Sequence, residues 1–156
     1  MRLCIYFSEE NDAILNQPVK YWPDSEKETL IFDHMKVTLL ASQDIKGEIQ
    51  QHDLLIEDSI SKKCLNVTHY YFAGWPEHGI PNDAYFIFEI IFAIRHLEPK
   101  CFMAHCATGS GQSGTFLALY NLIEQIESNQ QFLDVFQEVL KLRQCRKFMV
   151  RDIFLI

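Results

Sequence analysis

Residues 100–114 read Lys100-Cys101-Phe102-Met103-Ala104-His105-Cys106-Ala107-Thr108-Gly109-Ser110-Gly111-Gln112-Ser113-Gly114. Lys100 to His105 forms a short, mostly apolar run that gives way to a glycine-spaced loop. Beyond the loop, Phe116, Leu119, Tyr120, Ile123 and Ile126 recur at helical spacing. Strand, loop and helix in direct succession predict an α/β unit with the loop at the N-terminus of the helix. In such a loop, successive backbone N–H groups point inward and form an anion cradle, reinforced by the positive end of the helix dipole. The same field favours thiolate over thiol, so Cys106 is expected to be nucleophilic with a lowered pKa. Gly109, Gly111 and Gly114 permit backbone conformations and close approach that a side chain would block. Ser113 is placed to hydrogen-bond the sulfur or a departing group. The chemistry implied is attack of a thiolate on the phosphorus of a bound phosphate ester.

Working outward, the first third of the chain is β-rich. Leu3 to Phe7 is a short apolar run suited to a buried strand. Leu30-Ile31-Phe32 and then Met35, Val37 and Leu39 alternate with polar partners, as half-buried strands do. Leu65, Val67, His69 and Tyr71 alternate again and lead into Gly74-Trp75-Pro76. The second half turns helical. Phe86, Ile87, Ile90, Ile91 and Ile94 share a helical stripe, with Asn82 or Asp83 as its cap. Phe132, Val135, Phe136, Val139 and Leu140 form a later stripe. These Phe and Ile stripes are expected to be core.

The 156 residues argue for one domain, and 48% apolar with 13% aromatic residues is enough for a sizeable core, excluding disorder and low-complexity linkers. Fourteen Lys and Arg against 21 Asp and Glu leave a net charge of −7, which argues against nucleic acid as partner. A local anion site is untouched by that balance. The longest apolar runs fall far short of the roughly 20 residues of a membrane span, and Ser8-Glu9-Glu10 interrupts the N-terminal run too early for a signal peptide. Five cysteines with no CxxC pair indicate neither a disulfide frame nor a zinc ribbon. A reducing, cytoplasmic compartment follows. Cys4, Cys64, Cys101 and Cys145 read as small apolar fillers, and His34, His52, His69, His78 and His96 show no ligand spacing, so neither metal nor cofactor is expected.

The stretch His105-Cys106-x-x-Gly109-x-x-Gln112-Ser113-Gly114 resembles the HCxxGxxR[ST]G signature of the protein tyrosine phosphatase family, with Gln112 where that family has arginine. Tyr21-Trp22-Pro23 resembles its YWP segment, and Lys36-Val37-Thr38-Leu39 the strand that follows. Trp75-Pro76-Glu77-His78-Gly79-Ile80-Pro81 resembles the WPDxGxP loop, with Glu77 replacing the aspartic general acid. Leu142 to Val150 resembles the LRxxRxxMVQ stretch, with Arg151 in place of glutamine. The resemblance implies an α/β (α+β) fold: a mixed, twisted β-sheet flanked by helices, with the Cys106 loop at a strand's C-terminal end. It also implies that residues 1–156 are a partial phosphatase domain, without the family's earlier part and its substrate-stacking tyrosine, ending before the helix that closes the domain.

The implied function is dephosphorylation of phosphotyrosine proteins through a cysteinyl-phosphate, with Cys106 as nucleophile and Glu77 as acid. His105, Ala107, Thr108, Gly109, Ser110, Gly111, Gln112, Ser113 and Arg151 are the implied substrate-binding residues. Arginine at position 112 would grip two phosphate oxygens at once, whereas Gln112 carries no charge. Losing a charged clamp on the transition state is expected to cut the rate on the order of a thousandfold or more. Glu77 remains an acid but is one methylene longer, and general acids need an approach of about 2.6–3.2 Å. Arg151 cannot accept a hydrogen bond from the water that hydrolyses the intermediate, yet it brings a cation towards the pocket. His105 is expected to orient the loop, and Arg143 to tie the last helix to it. Three readings stay open: an impaired enzyme, a non-catalytic binder of phosphotyrosine proteins or competitor of active phosphatases, and a product too incomplete to fold well. A thiol protease or sulfur carrier leaves the Trp75-Pro76 match unexplained. Oligomeric state is not legible.

Overall fold

A computed structural model describes residues 2–8, 20–46, 49–76, 79–81, 83–97, 101–128 and 132–151. Six strands, β1 (Arg2–Phe7), β2 (Thr29–Phe32), β3 (Met35–Lys46), β4 (Ile49–Asp58), β5 (Cys64–Phe72) and β6 (Cys101–His105), join in one sheet ordered β2-β3-β4-β5-β1-β6. The helices are α1 (Tyr85–Leu97), α2 (Gln112–Glu127) and α3 (Val135–Cys145). β2 to β5 form an antiparallel meander, while β1 lies parallel to both β5 and β6. The mixed sheet with helices that the resemblance implied is the fold observed.

Strand alternation sorts β1 onto two faces. Leu3, Ile5 and Phe7 point into the main core with Ile87, Ile90, Ile91 and Ile94 of α1, Phe116 and Ala118 of α2 and Val139 of α3. Each fully buried Ile or Phe contributes roughly 1.5–3 kcal/mol of transfer free energy, so this face holds the helices to the sheet. Tyr6 faces the other way and packs with Trp22, Val37, Leu39 and Leu54 in a second cluster. The α1 cap is Asp83, whose carboxylate accepts from Tyr85 N at 2.9 Å. Asn82 lies outside the described residues. α3 is capped by Asp134, which accepts from Gln137 N. It is also fastened to α2 through Glu138, a buried carboxylate accepting from Asn121 and Gln125 at 2.6 and 2.9 Å.

Several expectations need correction. β4 and the second half of β3 were not anticipated, because polar residues occupy much of both and only the partner strands pull them into the sheet. Of the last apolar stripe, Val139 alone is buried. Phe132 is 85% and Phe136 69% exposed, and Val135 and Leu140 are also on the surface. Helix α3 begins at Val135, and no described element covers this flank. Cys64, Cys101 and Cys145 are exposed rather than core fillers, which leaves Cys4 as the one among the four that is buried.

Two backbone constraints lock the segment after α3 against the loop before α2. A Cβ on Gly114 would lie 2.5 Å from the Val150 backbone nitrogen, so only glycine admits that approach. Val150 N donates to Ser110 O at 3.0 Å, from a left-handed φ of 55° that a β-branched residue adopts only under tertiary constraint. Gly114→Ala is therefore expected to destabilise the domain by about 1–3 kcal/mol, lowering Tm by several degrees. Thermal unfolding checks it, and an unchanged Tm would mean the chain yields there freely.

Candidate active site

β6 ends at His105 and delivers Cys106 to the first position of the loop, with α2 beginning at Gln112. β5 runs the same way across β1, so the Gly74-Trp75-Pro76 segment that follows it emerges at the same end of the sheet. Loops at the carboxyl ends of neighbouring parallel strands form the usual ligand crevice of open α/β sheets. Trp75 is anchored there by burial: its ring meets Phe7 edge-on at 5.2 Å and its Nε1 donates to Gly79 O at 3.2 Å.

Cys106 is buried. Burial alone would push its thiol pKa up, but donors outweigh that: the Ser113 side chain and the backbone N–H groups of Ser113, Gly109 and Ser110 hold it below its ordinary value. The Ser113 hydroxyl is buried and makes no well-formed hydrogen bond to another group of the protein, so its proton remains available to the sulfur or to an oxygen of a bound anion. Gly111, the N-cap of α2, offers no side-chain cap to the first helical N–H groups. These groups keep their capacity for an anion. Ser110 Oγ donates to Thr108 Oγ1 at 3.2 Å, and Gly109 holds a left-handed φ of 67°. The loop is thus a set of inward donors around one depressed thiol.

Gln112 stands at 4% exposure and is turned away from this cradle. Its Nε2 donates to Trp75 O at 2.5 Å and to Pro76 O at 3.3 Å. An amide has two N–H donors, and both are engaged. What remains is the carbonyl oxygen, an acceptor that offers nothing to a phosphate. Gln112 therefore acts as a latch between α2 and the Trp75-Pro76 segment.

His105 Nε2 lies 2.7 Å from the Tyr21 hydroxyl and its ring stacks on Tyr6 at 4.5 Å, so it is tied to the sheet face opposite the main core. Arg143 bonds the carbonyls of Met149 and Val150 rather than the loop itself. The guanidinium on the loop belongs to Arg146, which donates to Thr108 O at 3.1 Å and covers Gly109. Sequence reasoning missed this role, although Arg146 stands within the Leu142 to Val150 stretch, where it matches the second arginine of LRxxRxxMVQ. Ala107 is exposed in the loop. Arg151 is half-buried and lines a cavity of about 350 Å³ with Arg143, Lys147 and Phe148. Glu77 lies outside the described residues.

A depressed thiol thus lies in a donor-lined loop at a strand's end, beside the tryptophan-proline segment. The protein-tyrosine phosphatase family model matches residues 3–154. The chain belongs to the protein-tyrosine phosphatase family. It is 32% identical over 138 residues to the phosphatidylinositol phosphatase PTPRQ of Rattus norvegicus, covering 86% of this chain and 6% of that protein. With the human receptor-type tyrosine-protein phosphatase epsilon it shares 31% identity over 159 residues, covering 96% and 22%. The catalytic domain of human protein tyrosine phosphatase non-receptor type 18 superposes with a TM-score of 0.86 at 20% identity, over 99% of this chain and 57% of that one. The chain thus spans a small part of these receptor-type relatives and just over half of the solved catalytic domain. No described helix is long and apolar enough to cross a membrane.

An acid whose charged form is favoured stays ionised to lower pH, so alkylation of Cys106 by iodoacetamide is expected to reach half its limiting rate below the ordinary cysteine pH. Ser113→Ala removes one donor, moving that midpoint up and slowing alkylation at neutral pH several-fold. Mass spectrometry of the Cys106 peptide across pH reads both. An unmoved midpoint would assign the thiolate's stabilisation to the backbone alone.

Proposed function

We propose that this chain is a phosphotyrosine-directed phosphatase domain that binds the phosphate of its target on the Cys106 loop and turns it over only weakly. The observation that carries this reading is the engagement of both Gln112 donors by the Trp75 and Pro76 carbonyls. The backbone N–H groups of the loop bind the phosphate oxygens, and the Cys106 sulfur attacks phosphorus as the bond to the tyrosyl oxygen breaks. Glu77 protonates that oxygen. Water then hydrolyses the sulfur–phosphorus bond and releases phosphate. In each transition state the charge spread over the equatorial oxygens lacks a cationic partner from residue 112, which accounts for slow chemistry.

Arg151 restores part of the missing positive potential. With Arg143 and Lys147 it makes the cavity after α3 cationic, which favours anion binding without the bidentate grip that stabilises transfer. A second reading, a binder of phosphotyrosine proteins with no turnover, is favoured by the same cradle, since binding needs the N–H groups and not the arginine. In either case the thiolate works in a reducing compartment, as a cytoplasmic setting provides.

Hydrolysis of an aryl phosphate by the wild type, Gln112→Arg and Cys106→Ser, with phosphotyrosine-peptide affinity measured alongside, tests the reading. The wild type should exceed Cys106→Ser only slightly, and Gln112→Arg should raise kcat on the order of a thousandfold. Wild-type turnover equal to that of Gln112→Arg would overturn it, and no peptide binding would remove the binding role. A phosphatidylinositol phosphate, the substrate class in the name of the rat relative, serves as a second substrate in the same assay. Arg151→Ala should weaken orthovanadate several-fold; unchanged affinity would assign anion binding to the loop alone.

A further inference from the structure

The sheet face away from the helices carries a cluster that the phosphate chemistry does not use. Parallel pairing sets Cys4 of β1 opposite His69 of β5 and Tyr6 of β1 opposite His105 of β6. Residues two apart on a strand share a face, so Cys4, His69 and His105 converge. One donor atom from each lies within 4.8 Å of the other two. The Tyr21 hydroxyl sits among them, 2.9 Å from His69 Nε2, 2.7 Å from His105 Nε2 and 3.7 Å from Cys4 Sγ.

We propose that Cys4, His69 and His105, with the Tyr21 oxygen as fourth donor, form a zinc site. A thiolate, two imidazoles and a phenolate are a donor set that Zn²⁺ accepts in tetrahedral array, with bonds of about 2.0–2.3 Å. Ligand atoms of such a site stand roughly 3.3–3.6 Å apart, so the Tyr21 oxygen must withdraw from the two nitrogens by about half an ångström, while the cluster of Cys4, His69 and His105, whose donor atoms lie within 4.8 Å of one another, draws together around the ion. These are side-chain rotations.

Three further observations fit the ion. First, His69 Nδ1 lies 3.2 Å from His52 Nδ1, and with the His69 proton on Nδ1, donated to His52, the His69 Nε2 lone pair faces Tyr21. A ligating histidine fixed through its other nitrogen is the usual second-shell arrangement. Second, His69 is fully buried and its ring is held at both nitrogens, by Tyr21 at Nε2 and by His52 at Nδ1. Third, Cys4, Tyr21, His69 and His105 line one cavity of about 550 Å³ whose remaining walls are largely apolar, which gives an ion both an entry path and a dry surround. Binding has to displace one proton from the Cys4 thiol and one from the Tyr21 phenol, both of which burial holds protonated in the free protein. The site then totals zero charge, and no net charge is left in the apolar cavity.

An ion there would tie β1, β5 and β6 together one residue ahead of Cys106. The site shares no residue with the phosphate loop except His105, and it would form whether or not the loop turns substrate over.

Chelator-treated full-length protein titrated with Co²⁺, a spectroscopic stand-in for Zn²⁺, is the test. We expect intense visible d–d bands with a thiolate charge-transfer band, saturating at one ion per chain. Both should be lost in Cys4→Ser and His69→Gln and kept in Cys106→Ser, while His52→Gln should weaken binding about tenfold. Zn²⁺ should raise the Tm of the wild type and not that of Cys4→Ser. Bands that persist in Cys4→Ser, or that vanish in Cys106→Ser, overturn the proposal. Should the cluster variants not fold, X-ray absorption on Zn²⁺-loaded Cys106→Ser decides: a shell of one sulfur and three nitrogen or oxygen atoms supports the site, and a sulfur-free or two-sulfur shell overturns it.

Discussion

Everything at the phosphate site depends on β1 pairing in parallel with both β5 and β6. Because the two outer strands run with the central one, their C-terminal ends fall on one edge, and the loops they feed must meet there. Trp75-Pro76 and the Cys106 loop are 30 residues apart in the chain and have no other reason to touch. The antiparallel meander of β2 to β5 extends the sheet and backs the second core cluster around Trp22. It supplies no group to the loop. The same pairing acts on the opposite face, where register alone places Cys4 beside His69.

What could be read from the chain follows from how local each feature is. Glycine spacing, the cysteine and the following helical stripe lie within one continuous stretch, so the loop and its place before α2 were legible. The apolar run of β1 and the alternation in β2, the start of β3 and β5 were legible for the same reason. β4 was not legible: its Gln50, Gln51 and Asp53 break the apolar pattern, and it is ordered by ladders on both sides. The stripe of α3 misled because periodicity reports amphipathicity and not what covers the apolar face. The histidines raise a different point. Searching for ligands at helical spacing overlooks strands, where two residues 65 apart become neighbours through register.

The site itself was legible as to residue types but not as to hydrogen-bond direction. That residue 112 lacks an arginine is plain from sequence; that its amide is spent on the Trp75 and Pro76 carbonyls is a property of the fold. Likewise the cation on the loop is Arg146, held by a turn whose left-handed Phe148 and Val150 no periodicity would indicate.

These details explain why an uncharged residue is tolerated at a position built for charge. A buried polar side chain must satisfy its donors or forfeit about 1–3 kcal/mol. Gln112 does so without an anion, because the Trp75 and Pro76 carbonyls lie within its reach. An arginine at the same point would carry a buried charge that only a bound phosphate neutralises well. The substitution thus exchanges a group that needs its ligand for one that completes the free protein. The loop's shape passes to Gly114 against Val150, to Ser110 O with Val150 N, and to Arg146 on Thr108, none of which involves residue 112. On the proposed reading, anion binding and phosphoryl transfer, which one guanidinium would couple, become separable: the N–H groups around Cys106 keep their own supports, while residue 112 brings no charge.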